Sequence, residues 1–252
     1  MGCIPSSENA SVASPVPSRA IARSAFVPIA DKYETYEELQ QSLRKAGLES
    51  SNLVVAIDYT KSNEWSGEKS FGGKCLHAID PSGATVNPYQ SVIHIMGRTL
   101  EAFDDDKLIP TLGFGDVRTG STSFFHLGVN SNPCHGFDDV LDRYKQLTPT
   151  IKLSGPTNFA PVIQETIRIV QRTRQYHILV IVADGQVSNE KETREAIVAA
   201  SNYPLSIVMV GVGDGPWDMM EEFDDQLPAR RFDNFQFVEY NKVLRLNQRN
   251  PE

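Results

Sequence analysis

Cysteine is nearly absent: Cys3, Cys75 and Cys134 are the only three in 252 residues. So few and so scattered, they make no disulfide framework, and the chain reads as one for a reducing compartment. Long apolar runs are missing too. No stretch of about 18 apolar residues occurs, so no helix spans a membrane, and residues 1–30 hold no apolar core of a secretory signal. Positive charge is scarce: 24 Lys+Arg stand against 32 Asp+Glu, a formal net charge of −8. That balance argues against nucleic acid as a partner, because such binders need Lys and Arg to displace phosphate counterions. Nucleotide loops are also wanting. Gly67–Cys75 (GEKSFGGKC) has Gly73 where a phosphate loop needs Lys, and Gly211–Gly215 lacks the dinucleotide spacing. What is present is a 40% hydrophobic content, enough for a real core.

Residues 1–30 hold six serines and four prolines with no sustained apolar period, the composition of a disordered tail. Their first six, Met1-Gly2-Cys3-Ile4-Pro5-Ser6, fit the N-myristoylation pattern, with Gly2 as the acylated amine. One myristoyl chain binds a membrane only marginally. The tail's basic residues are Arg19 and Arg23, so Cys3, as a palmitoylation site, is the better second anchor. A helix is expected across 33–47, opened by a Thr35/Glu38 capping box and stopped at Gly47.

From residue 50 the pattern alternates. Leu53–Asp58, Tyr176–Asp184 and Leu205–Gly213 are short, β-branched and almost uncharged, as strands buried on both faces of a parallel sheet are. Weaker strands are expected at Pro110–Gly115, Ser123–Gly128 and Phe235–Tyr240. Helical spacing covers Tyr89–Phe103, Phe137–Leu147, Phe159–Val170, Glu190–Ala200 and the short Trp217–Phe223. The alternation predicts an α/β fold: a doubly wound, mostly parallel six-stranded sheet with helices on both faces. The expected domain runs over 50–242, with a short C-terminal tail at 243–252. The stretch from Lys61 to Pro88 has no period, and a loop that long is often functional.

Ligands of open parallel sheets gather at the carboxyl ends of the strands, and acids stand there. Asp58 ends the first strong strand, Asp184 ends the second, and Asp116 and Asp214 follow two others. Asp58 opens a D-x-T-x-S string with Thr60 and Ser62, whose alternate side chains can converge. Thr157, in Gly155-Pro156-Thr157-Asn158 ahead of a helix, is a further oxygen source. Two carboxylates and three hydroxyls suit a hard cation such as Mg²⁺ and leave a position open. Asp116 and Asp214 are expected beside this site or in loop capping. Other groupings fall short: Cys75 and His77 lack a second pair for zinc, His94 and His177 read as core or edge residues, and Asp104–Asp106 reads as a solvated helix end.

The ordered set Asp58, Thr60, Ser62, Thr157 and Asp184 resembles the metal-ion-dependent adhesion site of von Willebrand factor A domains. Val54–Asn63 (VVAIDYTKSN), Leu112–Asp116 (LGFGD), Gly155–Pro161 (GPTNFAP), Ile181–Gln186 (IVADGQ) and Pro204–Asp218 (PLSIVMVGVGDGPWD) are similar to the copine-type A domain. Asn63–Trp65 and Phe223–Phe237 look most like the plant copine-like ubiquitin ligases that carry a RING finger. The likeness spans roughly residues 33–240. It implies a Rossmann-like A domain whose five residues hold Mg²⁺, Mn²⁺ or Ca²⁺, and a protein partner whose acidic side chain completes the coordination. Residues 241–252 hold no cysteine or histidine, so the zinc ligands of a RING are not found there. The expectation is therefore a non-enzymatic, metal-dependent interaction module. Its acylated N-terminus would place it on the cytoplasmic face of a membrane, the plasma membrane first, with a cytosolic or nuclear pool. The alternative is a RING-less relative of the E3 ligases, serving ubiquitination as a substrate or conjugating-enzyme adaptor.

Overall fold

The computed structural model describes residues 35–45, 48, 50–185, 187–227 and 230–249. Gly2, Cys3, the rest of the expected tail and Gly47 lie outside them. In chain order the elements are α1 (Tyr36–Lys45), β1 (Asn52–Asp58), α2 (Pro88–Leu100), β2 (Leu108–Ile109), β3 (Thr111–Phe114), β4 (Phe125–His126), β5 (Cys134–His135), α3 (Gly136–Leu147), α4 (Ala160–Thr173), β6 (His177–Ala183), α5 (Glu190–Ala200), β7 (Leu205–Gly211), α6 (Asp218–Asp225), β8 (Phe235–Glu239) and α7 (Tyr240–Arg249).

The apolar runs become the middle of a six-stranded sheet of order β4-β3-β1-β6-β7-β8. Every pairing is parallel except β3 with β4 at the edge. Side chains alternate across a strand, so β1 feeds two cores. Val54 and Ala56 join Leu179, Ile181, Ile163 and Ile197 on one face, covered by α4, α5 and α6. Leu53, Val55 and Ile57 join Val92, Ile93, Val140 and Tyr144 on the other, covered by α2 and α3. This is the doubly wound arrangement the alternation predicts. All seven residues of β6 are buried. In β7 burial alternates instead, with Ser206, Val208 and Val210 only partly covered.

Local chemistry fixes the helix starts. Asn87 caps α2 reciprocally with Gln90, the side chain of each accepting from the other's backbone N–H at 2.9 and 3.0 Å, and Pro88 opens the helix. Thr35 Oγ1 accepts from Glu38 N at 3.2 Å, as the capping-box spacing predicts. Helix α1 rests on the turn after α2, with Gln40 and Arg44 donating to the carbonyls of Arg98 and Ala102.

Three features depart from expectation. The two-residue strands β2 and β5 pair antiparallel outside the main sheet. Residues 243–252 were expected as a tail, but α7 extends from Tyr240 to Arg249; Tyr240, Val243 and Leu244 do fall at helical spacing. Asp104 is not part of a solvated helix end, being 2% exposed. Among the described residues no helix is long and apolar enough to cross a membrane.

Candidate metal centre

Strands β1 and β6 are neighbours, and their register pairs Ile57 with Val182. Asp58 and Asp184 therefore emerge side by side at the carboxyl end of the sheet. Both are buried, at 0% and 1% exposure. The chain after β1 turns at once, because Thr60 N donates to Asp58 Oδ1 at 2.7 Å. A 3-10 turn over Lys61–Glu64 follows. It brings Thr60 Oγ1 to 3.0 Å from Ser62 Oγ, and Ser62 Oγ donates to Asp184 Oδ1 at 3.0 Å.

The third loop is stitched to the first. Thr60 bridges Ser154, and Lys61 N donates to Ser154 O at 2.6 Å. Thr157 Oγ1 then reaches Thr60 Oγ1 at 3.4 Å. Asn158 fastens this loop to its surroundings, donating to Ser121 O and Glu192 Oε2 and accepting from Ala160 N. Close approach demands glycine at two points. A Cβ on Gly115, whose φ is +84°, would lie 2.4 Å from the Thr60 methyl, and one on Gly213 would lie 2.5 Å from Asp184 O.

All five residues named from the spacing thus meet in one place. Their state is electrostatically uncomfortable. Burial first, then repulsion from Asp184, holds the Asp58 carboxyl well above the usual carboxylate range. Burial also raises Asp184, against the lowering effect of the Ser66 and Ser62 hydroxyls. Asp58 Oδ2 and Asp184 Oδ2 are both buried without a hydrogen-bond partner. Two unpartnered carboxyl oxygens beside three hydroxyls form an all-oxygen donor set, which fits a hard divalent cation.

Asp116 and Asp214 hold loops. Asp116 accepts from Thr119 N and Thr119 Oγ1 at 2.9 and 2.6 Å and from Arg118 Nε at 2.9 Å. Burial pushes its carboxyl up, and these donors outweigh that and hold it low. Asp214 accepts from Lys69 N and Ser70 N at 2.7 and 3.0 Å, while its own N–H donates to Ser66 O. It clamps the segment that carries Ser66.

A buried network beneath Asp58 has no counterpart in the sequence reading. His77 Nε2 lies 2.7 Å from Asp58 O, and His77 Nδ1 lies 2.8 Å from Tyr144 Oη. A carbonyl only accepts, so Nε2 carries the proton and the neutral ring accepts at Nδ1. Burial pushes the imidazole down to about 3, against the opposing effect of its bond to Asp58. The ring stacks on Tyr59 and on Tyr89, with centroids 4.7 and 4.1 Å away. Tyr89 Oη donates to Asn63 Oδ1 at 2.7 Å, and Asn63 Nδ2 donates to Thr60 O at 3.0 Å. Both His77 nitrogens are engaged, so His77 and Cys75 do not form half of a zinc site. The aperiodic 61–88 segment thus supplies the underside of the Asp58–Ser62 loop. Beside it lies a cavity of ≈ 410 Å³ rimmed by Lys61, Glu64 and Lys152 and floored by Cys75 and His77.

Comparison with known proteins places these observations. The family model described as Copine matches residues 75–252. "E3 ubiquitin-protein ligase RGLG2" of Arabidopsis thaliana is 52% identical over 236 residues, covering 88% of this chain and 50% of that protein. "Copine family protein 1" of Caenorhabditis elegans is 54% identical over 209 residues, covering 83% of this chain and 19% of that protein. The chain thus spans about half the length of the curated ligase and about a fifth of the curated copine. Among solved structures, the SpRpn10 VWA domain aligns with a TM-score of 0.54 at 12% identity, over 79% of this chain and 95% of its own. A manganese-loaded TRAP protein of Plasmodium vivax aligns with a TM-score of 0.52 at 13% identity, over 79% and 72%. At such identities the likeness shows the fold, that of a von Willebrand factor A domain.

Proposed function

The chain belongs to the copine family, and on that premise we propose that its A domain, taken as residues 50–242, is a metal-dependent protein-interaction module. Asp58, Thr60, Ser62, Thr157 and Asp184 would hold Mg²⁺, with Mn²⁺ or Ca²⁺ able to replace it. The observation that carries this reading is the pair of buried, unpartnered oxygens, Asp58 Oδ2 and Asp184 Oδ2. When bound, the ion supplies a hard Lewis-acid position that a carboxylate from another protein can complete. The chain's own residues do the rest. Thr60 N fixes Asp58 Oδ1, Ser62 orients Asp184, and the His77–Tyr144 pair holds the Asp58 backbone. Asp116 and Asp214 shape the flanking loops. Lys61 and Lys152, on the neighbouring cavity, present positive charge to an acidic partner.

The N-terminal pattern extends the proposal to location: myristoylation of Gly2 and palmitoylation of Cys3 would hold the domain on the cytoplasmic face of a membrane. Calorimetric titration with Mg²⁺ and Mn²⁺ tests the metal site, and pull-downs with and without EDTA test the interaction. The expected outcome is metal binding by the wild type, lost in Asp58→Ala, with partner capture abolished by EDTA. A wild type that binds neither ion refutes the reading. Labelling with an azido-myristate probe tests Gly2.

The identity to an E3 ubiquitin-protein ligase over half of that protein's length favours a second reading. The chain would serve ubiquitination as an adaptor, presenting a substrate or a conjugating enzyme. It assigns no catalytic residue here. An in vitro ubiquitination assay separates the readings: ubiquitin transfer by this chain alone overturns the adaptor role, and stimulation of a separate ligase supports it.

A further inference from the structure

At the opposite end of the sheet, four acids crowd the turn after α2: Glu101, Asp104, Asp105 and Asp106. Three have partners. Glu101 Oε1 faces Lys107 Nζ at 4.0 Å. Asp105 Oδ2 accepts from Ser50 Oγ at 2.7 Å, and Asp106 Oδ1 accepts from Leu108 N at 2.8 Å. The exception is the most buried of the four. Asp104 is 2% exposed, and both its carboxylate oxygens lack any partner. A second orphan comes from a different segment: Ser51, 1% exposed, whose hydroxyl is also without a partner. Ser51 N donates to Phe103 O at 2.8 Å, which seats it against the residue preceding Asp104. Buried polar atoms in native proteins almost always have partners. Three orphaned oxygens at one turn therefore mark a place meant for something else.

The geometry points to a second cation site in this protein, built on Asp104 and Asp106 with the Ser51 hydroxyl and taking a calcium-class ion. It lies roughly 20 Å from the Asp58 centre along β1, at about 3.3 Å per strand residue. Asp104 is sealed from solvent, whereas Asp105 and Asp106 are exposed. Asp106 also lines a ≈ 300 Å³ groove with Asn52, Leu108 and His177. A ligand that must meet Asp104 without intervening water suits Ca²⁺, which sheds water readily, better than Mg²⁺, which keeps several. No three carboxylate, imidazole or thiol side chains converge here among the described residues. The ion would thus draw on hydroxyl and carbonyl oxygens as well, the donor chemistry of the Asp58 centre. Burial first, then Asp106, pushes the Asp104 carboxyl up to about 6.

Calorimetric titration of the full chain with Ca²⁺ at about pH 7.5 tests the assignment, using wild type, Asp58→Ala, Asp104→Asn and the double variant. Two ions are expected for wild type, one for each single variant and none for the double, with affinity at the turn falling tenfold or more in Asp104→Asn. The site is overturned if Asp58→Ala binds no Ca²⁺, or if Asp104→Asn keeps wild-type stoichiometry. Failure of the Asp58 centre has its own signature, an Asp104→Asn variant that binds nothing while Asp58→Ala still binds one ion. Should Asp104→Asn not fold, Mn²⁺ added to Asp58→Ala decides. Paramagnetic broadening of the Ser51, Phe103 and Asp105 amide signals supports the site, and sharp signals there refute it.

Discussion

Replacing His77 by Phe separates two effects that the buried network combines. Phe keeps a flat ring against Tyr59 and Tyr89 but loses both hydrogen bonds, to Asp58 O and Tyr144 Oη. The partners keep weaker bonds, since Tyr89 Oη donates to Asp58 O at 3.3 Å and Asn87 Nδ2 donates to Tyr144 Oη at 3.1 Å. The cost near pH 7.5 is thus about 2–3 kcal/mol. The gap then depends on pH. His77 is held near 3 in the folded chain, against roughly 6.5 unfolded. Between those values the unfolded chain binds the extra proton, so the wild-type advantage is whole above about pH 6.5 and falls as pH drops, by about 1.4 kcal/mol per unit. Asp58 and Asp184 act oppositely. Their raised carboxyls favour the folded state at low pH, a contribution both proteins share. Urea denaturation in EDTA, from about pH 7.5 to 4.5, should show the two stabilities converging by about 3 kcal/mol and meeting near the acid end. Parallel curves would refute a neutral, doubly bonded His77.

Asp58→Asn removes one of two adjacent buried charges. In EDTA near pH 8 it should raise stability by about 1–2 kcal/mol while losing the Mg²⁺-dependent rise in Tm; a lower metal-free Tm counts against an uncompensated pair. Gly113→Ala would set a Cβ 2.2 Å from the Phe125 ring across β3 and β4. Denaturation midpoints should show a loss of about 1–3 kcal/mol, partly restored by Phe125→Leu. Trp65, 59% exposed beside the metal loop, should tolerate Ala within about 0.5 kcal/mol of stability, while EDTA-sensitive partner capture weakens.

The central strands were legible because burial on both faces leaves an unbroken apolar run, as in β1 and β6. The convergence of the candidate site residues was legible for a related reason. Four of the five stand at the ends of those runs or in a string only five residues long, Asp58 to Ser62, so local spacing carries most of the geometry, while Thr157 joins them from the loop ahead of α4. What escaped depends on distance in sequence. His77 reaches Asp58 through an aperiodic loop, and nothing in its neighbours announces a ring stacked on Tyr59 and Tyr89. Two-residue strands such as β2 and β5 are too short to show a period. Three consecutive aspartates look alike in sequence, and only the fold singles out Asp104 as the buried one.

The adjacency of β1 and β6 has a kinetic consequence. Asp58 ends β1 and Asp184 directly follows β6, two neighbouring strands whose core residues are buried throughout, so the sheet anchors both acids at their strand ends. On the proposed metal-dependent reading, loss of the ion would leave the two strand ends in place, with the repulsion borne by the sheet. Occupancy would then follow ambient metal on the timescale of ion dehydration, with no refolding step, and a partner gripping the ion would be released as quickly as the ion is withdrawn.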